Sequence, residues 1–406
     1  MAESSPLFDV AVIGGGLIGP ALALTLVQKG FSVALLDAAP PRARAAKGFD
    51  GRAYALAPAA TRLLQKLEVW PALAAQAEPI RQVKACGGEA PGAGASPWFL
   101  DMDSAEMGTG PLGYMVEDGA LFAALEGALA RAARKGGRLR RWQGLAVTGQ
   151  RIGAAEAEVA TATGLALKAR LLIGADGRES GIAQRAGIAR LSWPYGQSAL
   201  VTTLAHEKPH GGTAYQIFLP EGPFALLPLP GGQRSSVVWS QPEAAAEAWR
   251  TAPEGELLSA LRLRAGTVLG RLSLTGPRFS YPLRFGLAES FTAPRLALVG
   301  DAAHGVHPLA GQGLNLGLRD VAALAEVLGE AALRGEDIGQ ADVLARYGQA
   351  RFGETLSRAL GMDALARAFR GQNPLAFGLR RFGLGLAGQI GPLRRALMRE
   401  AAGPQA

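Results

Sequence analysis

Near-continuous apolar runs alternate with glycine-rich turns at the start of the chain, and this order predicts an α/β unit. A mainly apolar run at 8–13 leads into three consecutive glycines, an uncharged helical stretch that reaches Lys29, and a second apolar run at 31–36. Such runs are typical of parallel strands that are buried on both faces. The pattern therefore predicts a strand, a tight turn, a helix and a second strand that ends at Asp37.

A similar order returns at 296–315. Four apolar residues lead to Gly300 and Asp301, a loop with Pro308 and two glycines follows, and a helical pattern comes next. The apolar positions of that helix are Leu316, Val321, Leu324 and Leu328. Ligands of doubly wound sheets bind outside the carboxyl ends of the strands, where helix N-termini present free N–H groups and positive dipole. The stretch is therefore a candidate ligand-facing loop.

The pattern between these two units predicts a β-rich insertion. A helix is expected at 121–133 and a strand at 169–173, and the strand leads into a Gly-Ala-Asp-Gly turn. Short alternating runs split by Pro-Gly turns then fill 191–282, which is typical of an antiparallel sheet. One helix, at 253–265, is expected to interrupt it.

Composition narrows the class of protein. The single cysteine, Cys86, excludes an internal disulfide, a CxxC redox pair and a cysteine-rich metal site, and we expect it to be a small buried hydrophobic residue in a reduced, intracellular compartment. His206 and His210 have no carboxylate or cysteine at ligand spacing, so we interpret them as surface residues and expect no metal. The first residues lack the basic start of a signal peptide.

Positive charge is concentrated at the C-terminus. Residues 364–406 contain seven arginines and one acid, which gives +6 of the net charge of +8. Apolar residues recur there at spacings of three and four from Leu375 to Leu397. This stripe is either a helix pair packed on the body of the protein or a basic amphipathic surface for a membrane or a lipid-bearing partner. No nucleic-acid motif accompanies it, so no nucleic-acid partner is expected.

The N-terminal glycines form a GxGxxG motif in the context that dinucleotide binding requires. Gly14 permits the tight turn, Gly16 allows the backbone to approach a pyrophosphate, and Gly19 lets the helix and strand pack closely. Asp37 stands at the position of the acid that binds the ribose. A second match at 383–388 has neither a preceding strand nor a following acid at the right distance. We therefore predict dinucleotide binding at the first copy.

Three further motifs, taken in order with this one, carry a family resemblance. They are Asp50-Gly51-Arg52-Ala53-Tyr54-Ala55-Leu56, then Gly174-Ala175-Asp176-Gly177-Arg178-Glu179-Ser180, then the stretch from Gly300-Asp301-Ala302-Ala303-His304 through Gly311-Gln312-Gly313-Leu314-Asn315 to Arg319-Asp320. The set resembles the class A flavoprotein aromatic hydroxylases of the p-hydroxybenzoate hydroxylase type. In their full residue sequences, the motifs are similar to those of the ubiquinone-biosynthesis hydroxylases.

The resemblance implies a fold and a division into domains. We expect an α/β protein with a p-hydroxybenzoate-hydroxylase-like, Rossmann-type FAD-binding domain, an inserted antiparallel substrate domain and a C-terminal helical region. The expected boundaries are 1–80, 111–190 and 283–335 for the discontinuous FAD-binding domain, 81–110 and 191–282 for the substrate domain, and 336–406 for the helical region.

The resemblance also implies roles for residues in binding FAD. Gly14, Gly16 and Gly19 would cradle the pyrophosphate, and Asp37 would bind the adenosine ribose. Arg52 would reach the cofactor near the hinge to the substrate domain. The motif of Asp176 and Gly177 would serve both FAD and NAD(P)H, and Asp301 would accept a hydrogen bond from the ribityl chain. The backbone that approaches the flavin pyrimidine edge would be that of Gly311, Gly313, Leu314 and Asn315.

The activity implied is that of an FAD-dependent monooxygenase. It would hydroxylate the aromatic ring of a polyprenylated ubiquinone precursor through a flavin C4a-hydroperoxide, with O2, non-covalent FAD and transiently bound NAD(P)H. Pro308 would border the site of oxygen activation, and His304 and His307 are candidate bases by proximity alone. We expect a cytoplasmic protein whose basic C-terminus is a candidate contact for the inner membrane or a biosynthetic complex.

Three other functions stay open at this point. The chain could hydroxylate a soluble phenol or another secondary metabolite, because the flavin motifs would look much the same. It could reduce prenyl double bonds with FAD and insert no oxygen. It could also be a flavin-binding subunit that assembles a biosynthetic complex without catalysis.

Overall fold

The computed structural model describes residues 7–40, 51–87, 100–106, 108, 110–305 and 312–368. The strands formed by these residues are β1 (Leu7–Ile13), β2 (Val33–Asp37), β3 (Ala53–Leu56), β4 (Ala77–Ile80), β5 (Gln82–Gly87), β6 (Leu100–Asp103), β7 (Gly113–Glu117), β8 (Leu139–Gln143), β9 (Val147–Ile152), β10 (Ala157–Thr161), β11 (Ala166–Gly174), β12 (Arg190–His206), β13 (Thr213–Leu219), β14 (Gly222–Leu229), β15 (Arg234–Pro242), β16 (Leu272–Leu274), β17 (Phe279–Ala288), β18 (Thr292–Ala293), β19 (Leu296–Leu298) and β20 (His304–Gly305).

The helices are α1 (Ile18–Gln28), α2 (Pro58–Lys66), α3 (Trp70–Leu73), α4 (Asp118–Gly136), α5 (Gly181–Arg185), α6 (Glu243–Thr251), α7 (Glu254–Ala265), α8 (Gln312–Leu333) and α9 (Ala341–Ala368). Short 3₁₀ turns occupy Ala74–Gln76, Ser104–Glu106 and Gly300–Ala302.

The first sheet carries the predicted α/β units. Its strands lie in the order β18-β19-β11-β1-β2-β8, with β10 and β9 attached beside β11, and the strands from β19 to β8 are parallel. Helix α1 is buried at every position from Gly19 to Leu26, because it packs against α4 on one side and α8 on another. A mostly apolar helix without charged residues is typical of a buried position, and this explains the uncharged stretch in the sequence.

The second sheet confirms the predicted β-rich insertion. Its order is β20-β17-β12-β15-β14-β13-β5-β6, and its pairs are antiparallel apart from β13 with β5. One face is covered by α7, whose Leu257 and Leu261 join a buried cluster with Phe224 and Trp239. Helix α7 confirms the helix predicted at 253–265, and a further helix that was not predicted, α6, precedes it across a turn at Ala252 and Pro253.

A small third sheet consists of β3, β7 and β4, and part of the Arg52 motif lies on β3. After β19, the chain passes from the first large sheet to the second. Strand β20 pairs with the end of β17, so that His304 stands opposite Leu287 and Gly305 opposite Gly286. The loop after β19, which carries Asp301, is therefore fixed to the edge of the insertion.

The prediction that His206 and His210 are surface residues is wrong. Their exposed fractions are 5% and 3%, because every ring nitrogen has a partner in the protein. Nδ1 of His206 lies 2.7 Å from the carbonyl oxygen of Lys208, and Nε2 of His210 lies 2.9 Å from that of Leu229. Burial lowers the pKa of His206. Cys86 is completely buried, as predicted.

The C-terminal part of the described chain is helical. Helix α8 packs against α1 and α9, and the predicted apolar positions Leu316, Val321, Leu324 and Leu328 are all buried. The apolar stripe predicted from Leu375 onward lies outside the described residues. Among the helices that are described, none has the length and apolar character needed to cross a bilayer.

Candidate functional site

The glycine turn between β1 and α1 is shaped so that a side chain would not fit. Gly14 has a φ of +118°, and a Cβ on it would overlap the carbonyl oxygen of Ala175. A Cβ on Gly19 would overlap the carbonyl oxygen of Gly14. Gly16 lies at the same turn and is partly exposed. The turn therefore brings bare backbone to the carboxyl end of the sheet.

The N-terminus of α1 is open to an anion. The N-cap residue, Leu17, has no side-chain acceptor for a capping bond, and no acidic residue lies in the first turn. Its first N–H groups and the positive end of its dipole consequently face the turn without an acceptor from the helix itself. This is the arrangement that binds phosphate groups in dinucleotide sites.

Asp37 lies against this turn from the end of β2. A Cβ on Gly15 would overlap the Asp37 carboxylate, so the carboxylate covers the glycine backbone. Its Oδ1 accepts a hydrogen bond of 3.2 Å from the N–H of Ala39. The structure therefore places Asp37 one strand away from Gly14 at the same edge of the sheet, as a ribose-binding acid requires.

The Gly-Ala-Asp-Gly turn closes the opposite side. Both oxygens of Asp176 are used within the turn, because Ser180 Oγ donates to one at 2.5 Å and the N–H of Ile182 donates to the other at 3.1 Å. Ser180 Oγ in turn caps α5 by accepting from the N–H of Ala183. Asp176 thus orders the turn, while Gly177 has a φ of +85°, and a Cβ on it would meet no described atom within 4 Å.

Asp301 stands beside that turn, on the 3₁₀ turn after β19. Its carboxylate is 43% exposed and accepts a hydrogen bond of 3.0 Å from Nε of Arg178. The guanidinium of Arg190 donates to the backbone oxygens of Asp301 and Ala302 at 3.0 Å each. Since β19 and β1 flank β11, the three predicted turns meet at neighbouring strand ends.

His304 lies inside the protein instead of facing this opening. Its ring has no exposed surface, and Nε2 donates to Asp320 Oδ2 at 2.6 Å. Asp320, which is also fully buried, accepts from the N–H of Gly300 at 2.9 Å and from Nε of Arg351 at 2.8 Å. The proximity that suggested His304 as a base is therefore proximity in sequence, and the contacts of the ring are those of a buried support.

Asn315 joins α8 to the Arg52 motif. Its Nδ2 donates to the carbonyl oxygen of Ala55 at 2.7 Å, and its Oδ1 accepts from the N–H of Ala57 at 2.8 Å. Arg52 Nη2 lies 3.3 Å from Asp118, whose other oxygen accepts from the hydroxyl of Tyr54. The side chain of Asn315 thus holds two motifs together, whereas the sequence suggested only a role for its backbone.

Gly51, the residue before Arg52, connects the motif to the insertion. It has a φ of +82°, and a Cβ on it would lie 2.7 Å from the ring of Phe279 and 3.2 Å from Val201. Gly313 and Leu314 lie in the first turn of α8 and are partly buried. His307, Pro308 and Gly311 lie outside the described residues, so their predicted roles stay predictions.

Four residues of the site carry no assignment from the sequence. Arg178 and Asp320 belong to motifs that suggested the family, and that membership was the available signal for them. Arg190 and Arg351 lie outside every motif, and 31 residues separate Arg351 from the Asp320 that it contacts. Contacts of this kind follow from the fold and not from local spacing.

The chain is similar to known proteins over most of its length. Residues 8–354 match a family described as FAD binding domain. The ubiquinone hydroxylase UbiL of Rhodospirillum rubrum is 42% identical over 404 residues, covering 97% of this chain and 89% of the relative. The 3-demethoxyubiquinol 3-hydroxylase of Escherichia coli is 35% identical over 401 residues, covering 97% and 98%. The crystal structure of p-nitrophenol 4-monooxygenase PnpA from Pseudomonas putida superposes with a TM-score of 0.79 at 17% identity, covering 99% and 100%.

Proposed function

Since this chain belongs to the FAD-binding domain family, we propose that it hydroxylates the aromatic ring of a polyprenylated ubiquinone precursor with NAD(P)H and O2. The chain is a flavin-dependent enzyme of the monooxygenase type, and its cofactor is FAD. The identity of the substrate is what we propose beyond family membership.

The observation that carries the proposal is similarity along almost the whole chain. The two bacterial relatives whose names give a ubiquinone-pathway activity each align with 97% of it. Such an alignment includes the β-rich insertion as well as the flavin turns. Because a shared flavin fold alone is compatible with many substrates, similarity that extends through the insertion is the stronger support.

The residues present fit FAD. The bare backbone at Gly14 and the uncapped N-terminus of α1 would hold the pyrophosphate, and Asp37 would bind the adenosine ribose. Asp301 has an exposed carboxylate at the carboxyl ends of the parallel strands, where it would accept a hydrogen bond from the ribityl chain. The first turn of α8, with Leu314, would bring helix N–H groups to the pyrimidine edge.

The face of the second sheet beside Gly51 would receive the aromatic ring. Phe279 and Tyr281 stack there with ring centroids 6.2 Å apart, and Val201 touches the same glycine. When it is bound, FAD supplies the reduction and oxygen chemistry that the protein itself lacks. The apolar side chains would orient the ring and exclude water from it.

The experiment that tests the proposal is mass spectrometry of the quinone lipids in cells that lack this gene. We expect a prenylated phenol one oxygen short of the normal intermediate, and its missing position gives the site of hydroxylation. The wild-type gene should restore ubiquinone, whereas a gene with Gly14→Ala, which blocks the pyrophosphate turn, should not. An unchanged ubiquinone pool in a strain without a redundant hydroxylase would refute the proposal in favour of a soluble phenol.

The alternative reduction of prenyl bonds is separated by isotope labelling. The purified enzyme, supplied with a prenylated phenol, NAD(P)H and ¹⁸O2, should give a product that contains one labelled oxygen. A product with two added hydrogens and no label would identify a reductase. A protein that binds FAD but oxidises no NAD(P)H with any phenol would point to a flavin-binding subunit without catalysis.

We further propose that the protein is cytoplasmic and meets the inner membrane through its C-terminus, because the substrate is a lipid. The support is charge: residues 364–406 carry seven arginines against one acid. Arginine beside apolar residues favours an anionic bilayer surface. Deleting the chain beyond 370 should abolish flotation with anionic liposomes, and undiminished flotation of the truncated protein would exclude this contact.

A further inference from the structure

One buried carboxylate holds both ends of the turn that carries Asp301. We call residues 300–305 the Asp301 loop. The N–H of Gly300 at its start donates to Asp320 Oδ2 at 2.9 Å, and Nε2 of His304 near its end donates to the same oxygen at 2.6 Å. Asp320 itself lies on α8 and has no exposed surface. The residues on both sides of Asp301, Gly300 and His304, are therefore hydrogen-bonded to the same side chain, that of Asp320.

The carboxylate is in turn fixed from the C-terminal helix. Nε of Arg351, on α9, donates to Asp320 Oδ1 at 2.8 Å. Glu354 pairs with Arg351, and it also accepts from Arg319 and from Arg358. A buried charge is stable only when it is paired and hydrogen-bonded, and here both oxygens of Asp320 are used. The network consequently links α9 to the Asp301 loop.

The ionisation of Asp320 agrees with this role. Burial by itself raises the pKa of the carboxyl, but the charges and hydrogen bonds of His304 and Arg351 outweigh burial and lower it. The group is therefore an anion at neutral pH, so it accepts from all three donors. Nδ1 of His304 has no hydrogen-bond partner within the part of the chain that is described, which leaves Asp320 as the residue that orients the ring.

The Asp301 loop has little room to move without these bonds changing. Gly300 has a φ of +60°, and a Cβ on it would lie 3.0 Å from Ile18, at the start of α1. A Cβ on Gly317 would lie 3.2 Å from the Cα of Gly300. The loop is thus pressed between the N-terminus that would hold the pyrophosphate and the helix that would face the flavin ring. A shift of Gly300 would displace Asp301 relative to both.

We propose that Asp320 is a positioning residue for FAD: through Gly300 and His304 it sets where Asp301 meets the ribityl chain, and Arg351 of α9 holds it in place. This inference rests on the FAD binding that the proposed function requires. It assigns α9 a function at the flavin site, to which the Arg351 side chain connects the helix.

The test compares Asp320→Asn with a matched change, Asp337→Asn. Asp337 also pairs with a buried arginine, Arg295, and also accepts from a backbone N–H, that of Gly339. None of its contacts among the described residues involves the Asp301 loop. Asparagine offers a single acceptor oxygen, so at least one donor to residue 320 must lose its bond.

We expect the unfolding midpoint of the apo-protein to be lower in both variants. Only Asp320→Asn should weaken the binding of FAD. Titration followed by flavin fluorescence should give a dissociation constant raised about tenfold or more, which is the effect of losing one charge-assisted hydrogen bond. The visible spectrum of the FAD that remains bound should also shift towards that of free flavin. Equal FAD affinity in Asp320→Asn and the wild type, or equal weakening by Asp337→Asn, would overturn the proposal.

A milder pair of variants covers the case in which Asp320→Asn does not fold. Arg351→Lys keeps the positive charge but loses the planar guanidinium that reaches Oδ1, and Arg295→Lys does the same at the control pair. The binding of FAD should be weaker in Arg351→Lys and unchanged in Arg295→Lys. Unchanged FAD affinity in both variants would contradict the inference. These readouts need no aromatic substrate, so a failure to hydroxylate a prenylated phenol would refute the proposed function and leave this result intact.

Discussion

Replacing Gly14 by alanine tests the shape of the glycine turn directly. Two effects add at this position. A φ of +118° is open to glycine and strained for an L-residue, at about 1–3 kcal/mol. The new methyl group would also overlap the carbonyl oxygen of Ala175 and lie 2.9 Å from the N–H of Asp176. Overpacking of this kind adds about 1–3 kcal/mol, so the apo-protein should lose about 2–6 kcal/mol in all.

The backbone at Ala175 has little freedom to yield. Its N–H donates to the carbonyl oxygen of Ile13 at 2.7 Å, and the strand that precedes it, β11, is paired with β1 up to Gly174. A shift large enough to admit a methyl group would therefore break a bond of the sheet. For this reason we expect the overlap to add to the strain and not to relax away.

Gly164→Ala is the matched control. Gly164 has a φ of +83° in the turn between β10 and β11, and an added Cβ would meet no atom within 4 Å in the part of the chain that the structure describes. This variant carries the strain without the overlap, so it should lose only about 1–2 kcal/mol. It lies away from the three turns and should bind FAD as the wild type does.

The assay is urea unfolding of the apo-proteins, followed by FAD titration of each. The excess loss in Gly14→Ala over Gly164→Ala measures the overlap, and Gly14→Ala should bind no FAD at micromolar protein. Equal losses in the two variants would refute the reasoning about Ala175, and a fully loaded, yellow Gly14→Ala protein would refute the placement of the pyrophosphate.

Three further outcomes are expected. Asp301→Ala should lose FAD during purification while its apo-protein unfolds at nearly the wild-type midpoint, because the side chain is exposed; full retention of FAD would contradict its ribityl role. Asn315→Leu should lower the free energy of unfolding by about 2–5 kcal/mol, since it leaves backbone groups of Ala55 and Ala57 buried without partners; a loss below about 1 kcal/mol would show that these groups find other partners. Asp320 has a lowered pKa in the folded state, so its contribution is present above about pH 4 and is lost as the pH falls through the folded-state pKa. The unfolding midpoint of Asp320→Asn should therefore fall less than that of the wild type on acidification, and parallel curves would argue against this linkage.

The turns and buried strands could be predicted from the sequence because their signals are local. An uninterrupted apolar run, a glycine at a positive φ and an acid about 20 residues further on each lie within one βαβ unit. The glycine turn at Gly14 and the buried helix after it are confirmed for that reason. The β-rich insertion is confirmed in the same way, from period-two runs and Pro-Gly turns.

The remaining features depend on residues that are distant in sequence. His206 and His210 looked like turn residues, and their burial follows from carbonyl groups and a serine on other strands. Asn315 bonds to Ala57 across 258 positions. Arg351 has no motif of its own and becomes meaningful only when α9 lies beside Asp320. The local sequence pattern does not predict such pairs, so the residues that hold the site in place can be identified only from the fold.

The pairing of β12 with β17 has a consequence for how this architecture can diverge. Arg190, where β12 begins, stands opposite Ala288, where β17 ends, so the long segment between them leaves and re-enters the flavin-binding part through hydrogen-bonded neighbours. Loops within the segment can lengthen, shorten or change composition while this gateway, and the flavin turns behind it, keep their geometry. The specificity for the aromatic ring can thereby change in evolution while the cofactor-binding turns stay the same.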